Sequence, residues 1–190
     1  MKVILINGSP REKGCTYTAL NEIAQELKKN DIDSEIIYIK SLERSLDKSF
    51  IKEVKEKIEA SSGLIIGSPV YYAAATPILS SFMIELMKVL DPEKIALMPA
   101  ASIASARRAG TTCTIDQMNK FFTISQMPIV SSQYWPMVHG NTPKEVLQDE
   151  EGLQTMRILA RNMAYMIKAF KLANIEKPKF EKKLRTNFIR

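Results

Sequence analysis

The sequence contains few of the residues that metal centres and disulfide frameworks require. Its 190 residues include two cysteines, Cys15 and Cys113, and a single histidine, His139. Two cysteines form no disulfide framework or metal cluster, and one histidine rules out a histidine-rich site, so we expect no metal. No apolar run approaches the roughly 20 residues of a membrane span. The N-terminus also lacks the layout of a signal peptide. We therefore predict a cytoplasmic protein without a membrane partner.

The net charge of +6 is concentrated at the C-terminal end. Residues 174–190 contain four lysines, two arginines and two glutamates, which gives this segment a net charge of +4. No basic helix with interleaved aromatic residues accompanies it, so we expect no nucleic-acid partner. We interpret residues 1–173 as a single domain and residues 174–190 as a basic tail, either solvated or clasping a neighbouring subunit.

Strand and helix patterns alternate five times along the chain. Apolar strands are predicted at 2–7, 34–39, 63–67, within 94–105 and at 128–132, and helices at about 16–29, 48–60, 78–90, 114–125 and 150–172. The continuous apolar runs are typical of parallel strands that are buried on both faces. This alternation predicts an α/β fold, a doubly wound, five-stranded parallel sheet with helices on both faces. The flavodoxin-like strand order 2-1-3-4-5 fits it best.

The turn after the first strand has the composition of an anion-binding site. Residues 8–16 offer the hydroxyls of Ser9 and Thr16, the guanidinium of Arg11, and the backbone around Gly14 and Cys15. Backbone N–H groups at a helix N-terminus attract a phosphate, because the helix dipole is positive there. The alternative is an ordinary solvent-exposed turn.

Two further loops follow strands at the same predicted sheet edge. After the third strand come Pro69, Val70, Tyr71, Tyr72 and Ala73, which offer aromatic faces and free N–H groups to a planar heterocycle. Alternatively, the tyrosines only cover the end of the sheet. The loop after the fourth strand contains Ala106, Arg107, Arg108 and Gly110. One arginine could face a ring carbonyl that becomes anionic on reduction and the other a phosphate, or both are simply solvated.

These motifs together resemble the NADPH-dependent FMN reductase family, a flavodoxin-like group that also contains the iron–sulfur flavoproteins. The resemblance rests on residues 7–11 with 14–16, 67–72, 107–110 and 134–135, in this order along most of the chain. It implies bound FMN, with its phosphate in the first loop, its pyrimidine edge at the second and its ring flanked by the third. NAD(P)H would be the co-substrate and a quinone, flavin or nitro compound the acceptor.

The sequence departs from the family pattern at three places. Cys15 stands where members commonly have Asn or Ser, and Ala109 where a second Gly is usual. The helix N-terminus is expected to acidify the Cys15 thiol. Residues 40–62 contain no cysteine, whereas iron–sulfur members have a cysteine cluster in that region, so we expect flavin and no cluster.

The sequence also leads to expectations about the chemistry, the acceptor pocket and the assembly. No side chain is expected to act as acid or base, since the flavin carries the chemistry. Tyr134, Trp135, Met137 and His139 are candidates for an acceptor pocket. The apolar spacing from Leu153 to Phe170 packs on the sheet or on a second subunit, and we expect a homodimer or homotetramer. The rival functions are a flavodoxin-type electron carrier without NAD(P)H turnover and a flavin-free regulatory module.

Overall fold

The chain folds around one parallel sheet, seen in a computed structural model that describes residues 1–181, 184, 186 and 188. The strands are β1 (Lys2–Asn7), β2 (Asp33–Tyr38), β3 (Gly63–Pro69), β4 (Ala100–Ala106) and β5 (Met137–His139). They lie in the order β2-β1-β3-β4-β5, and every pair is parallel. The predicted fold class and strand order are therefore confirmed.

Helices cover both faces of the sheet. Their bounds are α1 (Cys15–Lys29), α2 (Leu42–Ser45), α3 (Lys48–Glu59), α4 (Pro77–Val89), α5 (Pro92–Ile95), α6 (Thr111–Thr123), α7 (Pro143–Val146) and α8 (Glu150–Ala173). One core cluster joins α3, α4 and α6 to the sheet, and a second joins α1 and α8 to the other face. Among the described residues, no helix is long and apolar enough to cross a membrane.

The apolar side of α8 packs within the chain. Met156, Ala160 and Met163 are fully buried against the sheet, whereas Phe170 at the end of the helix is half exposed. Of the two expectations for this segment, packing on the sheet is the one that the structure shows. The apolar spacing therefore does not support a subunit interface, apart from Phe170.

The fifth strand does not lie where the sequence predicted it. The Ala100 N–H donates to Pro128 O, and the Val130 N–H donates to Ala100 O, but this pairing at residues 128–130 is only an isolated bridge. The chain then leaves the sheet, because α8 binds it: Ser132 Oγ donates to Thr155 O and Asn162 Nδ2 donates to Ser131 O. It returns as β5 at Met137–His139, so the predicted strand at 128–132 is wrong.

The start of α6 also differs from the prediction. The spacing of Thr114 and Gln117 indicated a capping box, yet the helix begins three residues earlier, at Thr111, with Gly110 as its N-cap. Thr114 Oγ1 instead donates to Gly110 O within the first turn. Gln117 Oε1 accepts the Ala75 N–H and so ties the helix to the loop after β3. A tertiary contact therefore uses the side chain that the local pattern assigned to a cap.

Candidate functional site

The loop after β1 is fixed from within by short polar contacts. Asn7 Oδ1 accepts the Ser9 N–H at 3.1 Å, and Asn7 Nδ2 donates to Glu12 O at 2.9 Å. Ser9 Oγ accepts the Arg11 N–H at 3.1 Å, which leaves the hydrogen of the buried Ser9 hydroxyl available to another acceptor. The loop is thus preorganised, and the Arg11 side chain lies at its exposed surface.

The loop after β3 forms a tight turn with an uncommon backbone conformation. Tyr71 and Ala74 exchange two backbone hydrogen bonds of 2.9 and 3.0 Å around Tyr72 and Ala73. Both central residues have positive φ, 51° and 58°, a conformation that such turns normally give to Gly or Asn. Left-handed backbone costs roughly 1–2 kcal/mol for an L-residue. Strain of this kind concentrates at functional sites, where the surrounding structure maintains it.

Gly110 brings the loop after β4 close to this turn. Its φ is +98°, and a Cβ at this position would lie 2.8 Å from Val70 Cγ1 and 3.2 Å from Ala73 Cα. A larger residue would therefore both strain the backbone and push the two loops apart. Gly110 is a positioning residue for the site: it holds the second and third loops together.

The three loops enclose a cleft of about 240 Å³ at the carboxyl end of the sheet. Nine of the fourteen predicted cofactor-binding residues line it: Ser9, Arg11, Cys15, Thr16, Pro69, Val70, Tyr71, Ala106 and Arg107. Thr16 is held to Ser105 by a 2.8 Å contact between their hydroxyl oxygens.

 The other five predicted residues lie outside the walls: Gly14, Tyr72, Ala73, Arg108 and Gly110. Tyr72 is fully exposed to solvent, so only Tyr71 offers an aromatic face to the cleft.

Four lining residues were not among the predicted ones: Pro10, Ser105, Gly140 and Asn141. The Gly140 N–H donates to Ala106 O at the end of β5, so residues 140 and 141 follow β5 directly into the cleft. The sequence analysis missed residues 140 and 141 because it placed the end of the fifth strand near residue 132, whereas β5 ends at His139. The available signal for them was a glycine two residues after the short apolar segment at 136–138.

The helix that begins at the cleft, α1, and the one that follows the third loop, α6, differ from the others in their N-caps. Within the described part of the chain, α1 and α6 have glycine N-caps, Gly14 and Gly110, and no side-chain cap hydrogen bond. The other six helices each have a Ser, Thr or Asp side chain that accepts an N–H of the first turn. The first N–H groups of α1 and α6 therefore remain available to an anion.

The arginines at the cleft are also free to bind an anion. Arg11 and Arg107 line it, and neither forms an ion pair within the described part of the chain. Arg108 is exposed and lies outside the walls. Two cations and a helix N-terminus, with no carboxylate among the described lining residues, make the cleft a candidate site for a negatively charged group.

The thiol of Cys15 is not acidified. Burial raises the pKa of Cys15, and this effect outweighs the backbone hydrogen bond and the charge of Arg11, which both lower it. The thiol also donates to Gly140 O over 3.6 Å. The expectation of an acidic thiol at the helix N-terminus is therefore wrong, because desolvation dominates there.

The structure does not bring together the four residues expected in an acceptor pocket. Tyr134 and Trp135 stack edge to face, 4.9 Å apart, and line a separate cavity. Met137 is buried in β5 and accepts a hydrogen bond from Thr111 Oγ1. His139 is exposed, and its N–H donates to Asp149 Oδ2 at 2.6 Å. The alternation of side chains along β5 and the departure of residues 131–136 from the sheet separate them.

Comparison with solved structures shows the fold. RosB, in complex with 8-demethyl-8-formylriboflavin-5′-phosphate, superposes with a TM-score of 0.76 at 11% identity, covering 100% of this chain and 93% of RosB. A WrbA-like flavodoxin from Agrobacterium tumefaciens gives a TM-score of 0.69 at 13% identity, covering 88% of this chain and 98% of that one. Both are similar in architecture, including the flavodoxin-like sheet.

Comparison of sequences shows the family. An iron–sulfur flavoprotein of Methanocaldococcus jannaschii is 28% identical, over 90% of this chain and all of the relative. One from Archaeoglobus fulgidus is 27% identical, over 83% of this chain and 86% of the relative. The two cysteines of the present chain are too few for the four thiolates of an iron–sulfur cluster. The model of the NADPH-dependent FMN reductase family matches residues 1–142, and the chain belongs to this family.

Proposed function

We propose that the cleft binds FMN and that the protein is an NAD(P)H-dependent oxidoreductase that reduces a small acceptor. The observation that carries the proposal is the anion site at the start of α1. The first N–H groups of the helix, the Ser9 hydroxyl and Arg11, which forms no ion pair with any described residue, lie together at the cleft. Family membership and a structural neighbour that holds a riboflavin phosphate derivative support the same ligand.

The residues present fit the two ends of FMN. Ser9, Arg11 and the first turn of α1 offer donors and positive charge to its phosphate. Tyr71, at the start of the strained turn after β3, offers an aromatic face to a planar ring. Gly110 and Val70 keep the turn and the third loop in contact, so the ring would lie between two fixed walls.

FMN held in the cleft would supply the redox chemistry, namely hydride transfer from the nicotinamide and electron transfer to a quinone, another flavin or a nitro compound. The chain's own residues bind, orient and supply charge. Arg107 lies at the wall of the cleft, where its cation would stabilise negative charge on the bound ring. Among the described residues, the lining contains no histidine, aspartate or glutamate, which supports a proposal in which the flavin carries the chemistry.

The test is to identify the flavin that the purified protein retains and to follow NADPH oxidation with a quinone. The proposal expects FMN with a stoichiometry near one per chain, and steady turnover. Bound FMN without NADPH or NADH oxidation would instead support the flavodoxin-type carrier. A protein that neither retains FMN nor gains thermal stability when FMN is added would overturn the flavin site, because a ligand selective for the native state must stabilise it.

Assembly remains a separate prediction. The homo-oligomer was expected from the apolar residues of α8, which pack inside the chain, and from the basic tail. In the structure, Lys177 Nζ donates to Ala96 O of its own chain at 2.9 Å. We still predict a homodimer or homotetramer, in the cytoplasm, in which a neighbouring subunit completes the acceptor pocket. Light scattering at micromolar concentration measures the mass, and a monomer mass contradicts the prediction.

A further inference from the structure

A second cavity of about 390 Å³ lies between β4, α6 and the segment at residues 129–136. It shares no lining residue with the cleft. The lining comprises Ser102, Ile115, Asp116, Asn119 and residues 129–136. Ser102 lies four residues before the end of β4, so roughly 13 Å of strand separates it from Ala106 at the cleft.

The interruption of the fifth strand creates this cavity. The outer edge of β4 is paired at Ala100, with residues 128–130, and again at Ala104, whose N–H donates to Pro136 O. Between these two points, α8 binds the main chain at Ser131 and the side chain of Ser132, as described above. The space beside Ser102 therefore remains open on the face of the sheet that α6 covers.

Two buried polar atoms at this cavity have no hydrogen-bond partner in the described part of the chain. They are Ser102 Oγ and Asn119 Oδ1, and the Ser102 residue is only 2% exposed. Both residues line the cavity. An unpaired buried polar group is unfavourable, and such groups normally have a partner in a protein, a ligand or an ordered water. A bound molecule that hydrogen-bonds to these two atoms would therefore satisfy the polar side of the cavity.

The remaining walls suit a flat aromatic group. Ile115 and Ile129 provide apolar surface, and the half-exposed rings of Tyr134 and Trp135 stand at the same cavity. Asp116 adds an exposed carboxylate that forms no ion pair with any described residue. This charge disfavours a negatively charged guest.

We propose that this cavity is a second binding site, for a small aromatic carboxamide. A primary amide has one acceptor and two donors, and so complements the side-chain amide of Asn119 and the hydroxyl of Ser102. The ring packs against Ile115 and the aromatic pair. A carboxylic acid of the same shape is rejected, because it lacks the N–H donors and is repelled by Asp116. The site does not depend on flavin in the cleft.

The test uses benzamide as the probe and benzoate as its matched control, with the full chain as purified. Trp135 is the only tryptophan of the chain, so its fluorescence reports on this cavity alone. We expect a saturable change with benzamide, with a Kd on the order of 1 mM for a ligand of this size. Benzoate produces only a linear quenching. A linear response to benzamide, as expected if water alone fills the cavity, overturns the proposal.

Variants connect the response to the two unpaired atoms. Asn119→Leu and Ser102→Ala should each raise the Kd for benzamide at least tenfold. Each also removes an unpaired buried group, so the melting temperature should hold or rise. The control Ser125→Ala, beyond the end of α6, should leave the Kd unchanged. An unchanged Kd in both test variants, or equal saturable binding of benzoate, overturns the proposal.

Discussion

The two ends of the sheet differ in whether their charged side chains are paired within the chain. At the carboxyl end, Arg11 and Arg107 line the cleft and form no ion pair with any residue that the structure describes, and α1 and α6 have no side-chain caps. At the amino end, where α3 ends and α5 begins, the side chain of Glu59 is only 6% exposed and is fully partnered. The comparison sets a carboxylate that is paired within the chain against a cleft whose charged groups are available to a ligand.

The Glu59 carboxylate accepts hydrogen bonds from two lysines and one backbone group. Lys55 Nζ lies 2.7 Å away, the Asp91 N–H 2.9 Å and Lys94 Nζ 3.1 Å. Burial alone would raise the pKa of Glu59, but these donors outweigh it and lower the pKa to about 2. A carboxyl with a pKa lowered in the folded state stabilises the fold above its unfolded pKa. That stability is lost as the pH falls towards the folded pKa.

The largest expected effect is therefore at the amino end, with Glu59→Gln. We expect a loss of roughly 3 kcal/mol of unfolding free energy at pH 7, since the pKa shift corresponds to about that amount. The difference from the unaltered protein should shrink as the pH falls from about 4.5 towards 2. Urea unfolding at pH 7 and at pH 3.5 measures it.

A matched control for this variant is Glu53→Gln on the same helix. Glu53 pairs with Lys57 at 2.7 Å, but more than half of its side chain is exposed, so its loss should change the unfolding free energy by less than 1 kcal/mol. FMN affinity should be the same in both variants, because neither residue lies near the cleft. Equal destabilisation by the two substitutions contradicts the assignment of Glu59 as the buried anchor.

The next effect is at the cleft, with Arg11→Ala. Losing one charged hydrogen bond to the phosphate should weaken FMN binding about tenfold to a hundredfold, or roughly 1.4–2.8 kcal/mol. Riboflavin lacks the phosphate, so its affinity should not change. Stability should not fall, since Arg11 forms no ion pair within the described part of the chain. Titration of the apoprotein with both flavins measures this, and a parallel loss for riboflavin removes Arg11 from the phosphate site.

The sequence was sufficient for the sheet order and for most of the cleft. Continuous apolar strands identify a buried parallel sheet, and the loops at its carboxyl end follow from the topology alone. The fifth strand was beyond such reasoning, because contacts with α8, distant in sequence, divide it between residues 128–130 and β5. Gln117 is a similar case, since its partner, the Ala75 N–H, is 42 residues away. Patterns in a short window do not contain these contacts.

The smallest expected effect concerns the strained turn at the cleft. Ala73 has φ of +58°, so Ala73→Gly removes the steric cost of this backbone conformation. A glycine also gives the unfolded chain more freedom, which offsets part of the gain, so we expect a net stabilisation of about 0.5–1 kcal/mol. The neighbouring Ala74→Gly is the control, since Ala74 does not have positive φ and should lose stability on substitution. Thermal unfolding of both variants checks the sign of the stability change. A loss of stability in Ala73→Gly would mean that the turn stores no strain. The cleft would then differ from the amino end only in its arginines, which form no ion pair with described residues, and in its uncapped helices.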